Sequence, residues 1–436
     1  MNISDEKKIK ELNSLAIKNQ KDKNYLIAKN TYQKILKINS NIPSVQYNLG
    51  IVLSILGENE KAKKCYEKVI EINPKIFDAH NNLGLIHYEL GDNKKALQCY
   101  LDAIKINPKY ANAYNNIGLI YASECNYKVA IDNYIKALEC NNKHLDANRN
   151  LILALTYVDS NISNPIIDAN NDIKKIYSYL AYDDFSRKEN IKKFFDKSEL
   201  ILKKIRQRFN LSNFIETQTF RKNPINLNCE RHHEIYNNYN IIPKFCFACF
   251  KIQIETNNVL DLIKLYFVFD YLKFPKNNWR KCMIELRDNV PGSYKGFIYC
   301  SSSEEAHNII KMIKPHLKNL IKYSVKIKRG CTEFYNSYPK FNEVDKNNLN
   351  FMNYEKNWKK IEEEYDQNRF NKIKKNLSSI PGMTIYDYLI INNWLAYAKN
   401  LNDLTFKYVN KNIDESSFIN NKLQNQIEFR KNQLLC

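Results

Sequence analysis

The chain has 436 residues, 44% of them hydrophobic and 26% charged, a composition that fits two or three globular domains and excludes a disordered chain. Its net charge of +20 favours anionic partners, although lysine is abundant throughout the chain and often only solvates helices. Eleven cysteines and an N-terminus too charged for an export signal argue against a disulfide framework, so we expect a cytoplasmic protein.

A period of 34 residues runs through the first third of the chain, which is the signature of a helical repeat array. Small residues at fixed positions allow two helices to cross closely, and a late proline ends the second helix. The repeated positions are Gly50, Gly84 and Gly118; Pro74 and Pro108; Ala28, Ala62, Ala96 and Ala130; and Tyr32, Tyr66, Tyr100 and Tyr134. This pattern, over residues 9–142, resembles the tetratricopeptide repeat. The resemblance implies an α-solenoid over residues 1–158, with four repeats and a capping helix.

An asparagine recurs with the same period in the first helix of the repeats. A side-chain amide both donates and accepts hydrogen bonds, so a row of amides can hold the main chain of an extended peptide. The row resembles the asparagine ladder of O-linked N-acetylglucosamine transferases, and this implies a groove that binds a segment of another protein. The alternative is that the row reflects the abundance of asparagine. The four positions are Asn48, Asn82, Asn116 and Asn150.

Residues 159–225 are predicted to form a helical linker, and residues 226–340 an α+β domain. The βαββαβ order of this domain matches a ferredoxin-like fold, in which two helices cover one face of a four-stranded antiparallel sheet. Its most apolar stretch, 259–272, is shorter than the ~20 residues of a membrane span and contains charges, so we expect no membrane span. Strands are predicted at 250–255, 281–287, 295–301 and 323–329, and helices at 258–273 and 303–321.

Cysteines and histidines cluster before the first of these strands, in CERHHEIYNNYNIIPKFCFACF. Three thiolates and one histidine supply the four ligands of a closed zinc site, and the spacing leaves open which histidine takes part. Side chains alternate along a strand, so the C-x2-C pair can share one ion only if the strand begins after it, at Phe250. A packed apolar site and an iron–sulfur or redox site are the alternatives. The candidate ligands are Cys229, His232, His233, Cys246 and Cys249.

The segment YKGFIYC at 294–300 resembles the third strand of an RNA-recognition motif, where a basic residue and a glycine precede outward aromatic rings that stack on bases. The resemblance implies that Lys295, Phe297 and Tyr299 contact RNA. Lys326 and Lys328 on the last strand would then contact phosphates. The alternative is that the two rings pack beneath C-terminal helices.

No catalytic signature occurs in the sequence, and no catalytic residue is predicted. Cys331 in KRGCTEF is the best candidate for a nucleophile, because Lys328 and Arg329 favour its thiolate, but the sequence places no histidine beside it. Residues 341–436 are predicted to form a helical tail anchored by Trp358 and Trp394.

The features together favour a scaffold that binds an extended segment of another protein in the repeat groove. An RNA-associated adaptor that uses the open sheet face is the alternative, and a cysteine-dependent enzyme is the third reading. One structural zinc ion is the only cofactor predicted. The sequence identifies neither the partner nor the oligomeric state.

Overall fold

A computed structural model describes residues 3–209, 211, 214–225, 227–287, 290–335, 337–341, 344, 352–368, 377–410 and 421–434. The chain divides into two compact units, Met1–Ala147 (unit 1) and Asn148–Cys436 (unit 2). The sequence predicted the first domain boundary at residue 158, eleven residues after the end of unit 1. None of the helices in the described ranges combines the length and the hydropathy that a membrane span requires.

Unit 1 is a helical solenoid in which consecutive helices pack in pairs, as the repeat pattern predicts. The first helices of the successive pairs are α1, α3, α5 and α7, and the second helices are α2, α4, α6 and α8. A ninth helix, α9 (Leu145–Ala154), begins at the end of unit 1. The paired helices are α1 (Ile3–Lys21), α2 (Tyr25–Ile38), α3 (Pro43–Ile55), α4 (Asn59–Ile72), α5 (Phe77–Glu89), α6 (Asn93–Ile106), α7 (Ala111–Ser123) and α8 (Tyr127–Cys140).

The repeated glycines lie where a tyrosine of the second helix crosses the first. A Cβ atom added to Gly84 would lie 2.6 Å from Cε1 of Tyr100, and one added to Gly118 would lie 2.4 Å from Cε1 of Tyr134. Both rings are 1% exposed, so they have no room to withdraw. The 34-residue period of glycine therefore marks a close contact between the two helices of the second, third and fourth repeats.

In the described residues, unit 2 contains one sheet and eight further α-helices. The predicted order of strand, helix, strand, strand, helix and strand is observed between Phe250 and Arg329. The helices are α10 (Pro165–Ser178), α11 (Lys188–Arg206), α12 (Cys229–Tyr239), α13 (Val259–Tyr271), α14 (Ser303–Leu317), α15 (Lys356–Asn368), α16 (Ile385–Asn400) and α17 (Asn421–Leu434). The strands are β1 (Gln218–Arg221), β2 (Phe250–Thr256), β3 (Arg280–Ile284), β4 (Tyr294–Cys300) and β5 (Tyr323–Arg329).

The sheet has five antiparallel strands in the order β1-β3-β4-β2-β5. Strand β1 was not predicted, because its four residues QTFR are too few to show an alternating pattern within a segment that reads as helical linker. The register places Ile252 of β2 opposite Ile298 of β4 and Ile327 of β5. This register fixes which side chains share a face of the sheet.

One face of the sheet packs against α13. A Cβ atom added to Gly296 would lie 2.5 Å from Cδ2 of Leu265, so α13 contacts the backbone of β4 directly. Ile252 and Ile298 share this face and are fully buried. The two predicted tryptophan anchors of the tail, Trp358 and Trp394, are also buried.

Candidate functional site

Lysine and aromatic side chains occupy the sheet face opposite α13, which we call the lysine face. Because side chains alternate along a strand, the register brings them into two neighbouring rows. The shorter row joins Tyr299, Lys251 and Lys328 across three strands. The longer row crosses all five strands and consists of Phe220, Lys281, Phe297, Gln253 and Lys326.

Ammonium groups lie against the aromatic rings of this face. The Nζ atoms of Lys281 and Lys328 each lie 5.3 Å from the ring centroid of Phe297, within cation–π range. The Nζ atom of Lys251 lies 5.1 Å from the ring centroid of Tyr299. Phe297 is only 5% exposed, so its ring already packs against lysine side chains of its own sheet.

A pocket of about 280 Å³ opens on the lysine face. Its wall combines side chains of the sheet, helix α12 and the segment after β5, so widely separated parts of the chain build it. The residues that line it are Phe220, Lys222, Leu227, Cys229, His233, Lys251, Trp279, Lys281, Met283, Arg287, Phe297, Tyr299, Lys328, Cys331 and Glu333.

Cys331 lies in the wall of this pocket and is held by two basic residues. The Nζ atom of Lys251 donates a hydrogen bond to its Sγ atom at 3.1 Å, and His233 forms a second side-chain hydrogen bond with it. Burial opposes ionisation of the thiol, but the charge of Lys251 and the two hydrogen bonds outweigh it and lower the pKa of Cys331 to about 6. The histidine that the sequence could not place beside Cys331 is therefore His233.

Two lysines of the pocket are destabilised in their charged form. Burial, together with the neighbouring charge of Lys251, lowers the pKa of Lys281 to about 8 and that of Lys328 to about 7. The pocket thus concentrates positive charge in a partly desolvated place, and an anionic group would relieve the repulsion.

The five predicted zinc ligands are not gathered into one set in the described structure. Cys229, His232 and His233 lie on helix α12, where successive side chains diverge by about 100°. His232 stacks on Phe245 with ring centroids 5.2 Å apart, and burial lowers its pKa to about 4. Cys229 and His233 instead line the pocket.

Cys246 packs in the same apolar cluster as Cys331, but within the described residues neither cysteine of the C-x2-C pair joins a group of close metal-ligand atoms. Cys246 is 3% exposed within an apolar cluster that includes Ile235 and Trp358, and burial raises the pKa of its thiol. Burial also raises the pKa of Cys249 to about 11. Strand β2 does begin at Phe250, as the zinc hypothesis required. A zinc ion on these five residues stays a prediction, and the packed alternative agrees with the burial of Cys246.

A different group of side chains meets the distance requirement for a metal ion. Within the described ranges, the ligand atoms of His233, Cys331 and Glu333 all lie within 4.8 Å of one another. Glu333 also forms an ion pair with Arg287. Cys331 and Glu333 were not predicted as ligands, because they lie about 100 positions after His233 in the chain.

The residues predicted to contact RNA differ in their accessibility. Lys295 is 1% exposed and forms an ion pair with Glu285, with 3.2 Å between Nζ and Oε2. Lys326 has a 58% exposed side chain and pairs with Glu255. Lys328, Phe297 and Tyr299 line the pocket, so only part of the predicted set can reach a ligand.

In unit 1, the predicted asparagine row is part of a hydrogen-bonded network that links three repeats. Asn82 donates to Tyr47 and accepts from Asn81, at 3.1 and 3.2 Å. Asn116 donates to Asn81 at 2.9 Å and accepts from Asn115 at 3.4 Å. We call these five side chains the amide network. Its members Tyr47, Asn81 and Asn115 were not predicted, because only one position of the repeat keeps asparagine throughout.

The two outer asparagines of the predicted row are not members of the amide network. Asn48 is half-buried on α3 and forms a side-chain hydrogen bond with Tyr32. Asn150 is half-buried on α9 and belongs to unit 2. The three asparagines of unit 1 thus all use part of their hydrogen-bonding capacity within the solenoid.

Comparison with known families identifies the repeats of unit 1. Residues 53–91 and 85–124 match the family described as TPR repeat, and residues 111–144 match the family described as tetratricopeptide repeat. The first third of the chain therefore contains tetratricopeptide repeats, as its 34-residue period predicts. No curated protein matches the chain.

Several solved structures resemble the repeat region. The crystal structure of MamA is 26% identical, with a TM-score of 0.29, over 30% of this chain and 77% of that one. A thermophilic TPR protein of Thermus thermophilus, TTC0263, is 20% identical, with a TM-score of 0.31, over 34% and 80%. YrrB, described as a TPR protein with an unusual peptide-binding site, is 22% identical, with a TM-score of 0.29, over 33% and 74%.

Proposed function

We propose that the first helices of the repeats bind an extended segment of a partner protein. Tetratricopeptide repeats make unit 1 a protein-interaction scaffold, since stacked repeats present a long continuous surface. The amide network is the observation that carries the more specific proposal. A side-chain amide has two N–H donors and an oxygen that accepts two bonds. Asn82 donates to Tyr47, accepts from Asn81 and forms a further side-chain hydrogen bond with Tyr66, so its oxygen keeps one acceptor position for a peptide N–H.

The exposure of the asparagines indicates which of them meet the partner. Asn48 and Asn82 are half-buried, whereas Asn81 and Asn115 are 4% exposed and Asn116 is 9% exposed. We therefore assign the direct contacts to Asn48 and Asn82. The buried Asn81 donates to Asn82 and so holds its amide in a fixed orientation, which lowers the entropic cost of binding.

Site-specific photo-crosslinking tests this assignment. A photoreactive amino acid replaces Asn48 or Asn82 on the first helices in the full chain, and Lys64 or Lys136, which are exposed on the second helices, in matched controls. We expect crosslinks to a partner protein from the first two positions and none from the controls. Equal crosslinking from both sets, or crosslinking from the controls alone, would contradict the proposal.

The lysine face favours a second candidate function, binding of single-stranded RNA. The strand order supports the ferredoxin-like assignment, with β1 added at one edge. The specific observation is that Phe297 lies between Lys281 and Lys328, which places an aromatic ring beside two cations that can contact phosphates. Rearrangement of the lysine side chains would be needed to expose the ring, because it is 5% exposed.

RNA binding measured over a range of salt concentrations tests this second function. Lys328→Gln should weaken binding and reduce the magnitude of the slope of log binding constant against log salt concentration by about 1, because one phosphate contact is lost. Phe297→Leu should weaken binding with an unchanged slope. Lys326→Gln provides a control outside the pocket group, since Lys326 already pairs with Glu255. If Lys328→Gln and Phe297→Leu both bind RNA like the wild type and like the Lys326→Gln control, the lysine face is not the RNA site.

A further inference from the structure

We propose that His233, Cys331 and Glu333 bind a zinc ion in the wall of the pocket on the lysine face. The three ligand atoms lie within 4.8 Å of one another, although helix α12 supplies the first and the segment after β5 supplies the other two. This site is distinct from the peptide-binding function of unit 1. It also replaces four of the five ligands that the sequence suggested and keeps His233.

The donor atoms match the preferences of zinc. Imidazole nitrogen, thiolate sulfur and carboxylate oxygen are its three usual protein ligands, whereas a thiolate disfavours magnesium and calcium. Zinc–ligand bonds of about 2.0–2.3 Å place neighbouring donors of a tetrahedral site about 3.5 Å apart. The three side chains must therefore close by roughly 1 Å around the ion. The side chain of Glu333 is 42% exposed, so there is room on its solvent side for this movement.

The charges around the group also fit a divalent cation. A thiolate and a carboxylate together carry two negative charges, which balance those of the ion. Lys251 donates to the sulfur at 3.1 Å, and Arg287 pairs with one oxygen of Glu333. Lysine and arginine groups that contact ligand atoms in this way hold the ligands in position around a metal ion.

Three protein ligands leave the fourth tetrahedral position open toward the pocket. Closed structural zinc sites use four protein ligands, whereas sites that bind an exchangeable ligand use three. Lys281 and Lys328 line the same pocket, so a negatively charged oxygen group, such as a phosphate or a carboxylate, is the ligand class that both the ion and the lysines favour. Cys229, which lies on the same helix as His233, also lines the pocket but is not among the three proposed ligands.

Cobalt and zinc binding by the full chain tests the assignment. The purified protein is stripped with a chelator and titrated with Co²⁺, which reports thiolate ligation by a charge-transfer band and tetrahedral geometry by its visible bands. We expect one equivalent to bind, with both signals, and to be displaced by Zn²⁺. In Cys331→Ser the charge-transfer band should disappear, and in Glu333→Gln the affinity should fall at least about tenfold.

Matched cysteine variants separate this site from the one the sequence suggested. Cys246→Ser and Cys300→Ser remove buried thiols outside the proposed ligand set, and both should bind the ion like the wild type. Loss of binding in Cys246→Ser with retention in Cys331→Ser would overturn the proposal in favour of the C-x2-C pair. Failure of the wild type to bind either ion would overturn it altogether. Circular dichroism checks that each variant folds. If Cys331→Ser does not fold, Glu333→Gln decides the test, because Glu333 is exposed.

Discussion

Lys295 carries its charge inside unit 2, where its ammonium group meets the carboxylate of Glu285. Both side chains are 1% exposed, and Arg287 donates two further side-chain hydrogen bonds to the same carboxylate at 2.8 and 2.9 Å. The strand pattern correctly put Lys295 on the same face as Phe297, but it could not show that Glu285 lies beside it at the end of β3. Single-residue accessibility depends on such partners, so the sequence could predict the face and not the role.

We expect this carboxylate to make unit 2 sensitive to acid. Burial raises the pKa of Glu285, but the hydrogen bonds from Arg287 and the charge of Lys295 lower it more, to about 2. The folded pKa thus lies below the ordinary value of 4.5, so the stabilisation is complete above about pH 4.5 and is lost as the pH falls toward 2. In urea unfolding, Glu285→Gln should lose about 3–5 kcal/mol near neutral pH. If the free energy of unfolding decreased in acid equally in Glu285→Gln and in the wild type, Glu285 would not be the source of the acid sensitivity.

The pKa values of the pocket lysines predict that anion binding weakens as the pH rises, whereas the stability contributed by Glu285 is lost as the pH falls. With pKa values of about 8 for Lys281 and about 7 for Lys328, both ammonium groups are protonated in mild acid and lose their protons as the pH rises through these values. Lys251, Lys295, Cys331 and Glu333 are the other charged groups that act on Lys328. RNA affinity should therefore fall between about pH 6 and 9, and Lys328→Met should flatten the lower part of that curve. Affinity that does not change over this range would exclude these lysines from the contact.

At the scale of elements, the turn inside each repeat has the same backbone conformation at one position, although only two of the four turns have glycine there. The residue two positions before the second helix has a positive φ in all four repeats, at 62°, 76°, 83° and 60°. Glycine fills this position in the two middle turns and adopts the conformation without strain, whereas the outer turns use a lysine and a cysteine. The four residues are Lys23, Gly57, Gly91 and Cys125. Because only two are glycine, the sequence did not reveal the position.

Exchanges at this turn should change stability in opposite directions. Cys125→Gly removes the strain of a left-handed cysteine and should raise the free energy of unfolding of unit 1 by about 0.5–1 kcal/mol. Gly91→Ala introduces that strain and should lower it by about 1–2 kcal/mol. Urea unfolding followed by circular dichroism measures both changes. A loss of stability in Cys125→Gly would show that contacts of the cysteine outweigh the strain.

Helix α12 shows why the ligand pattern misled the sequence analysis. The spacing of CERHH suggested a metal site. However, the eleven residues of α12 are helical, so His232 faces Phe245 and His233 faces Cys331. Spacing along the chain predicts a ligand set only when the backbone between the ligands is known. The true neighbours of His233 come from the segment after β5, which no local pattern could reveal.

For the whole molecule, predictability follows the range of the contacts. Each repeat of unit 1 contacts mainly its neighbours, so a short periodic pattern determined its helices, its glycine–tyrosine contacts and the row of amides. The core elements of unit 2 were also predicted, because the strands and helices between Phe250 and Arg329 have strong local patterns. Its pocket was not, since several separate parts of the chain converge to form it.

Hydrogen–deuterium exchange of the full chain, alone and with the partner identified by crosslinking, tests the central claim most directly. If Asn48 and Asn82 contact an extended segment, protection on binding should concentrate in the first helices α3 and α5, which contain them, and should spare the second helices α4 and α6. Protection confined to the second helices or to unit 2 would contradict the account.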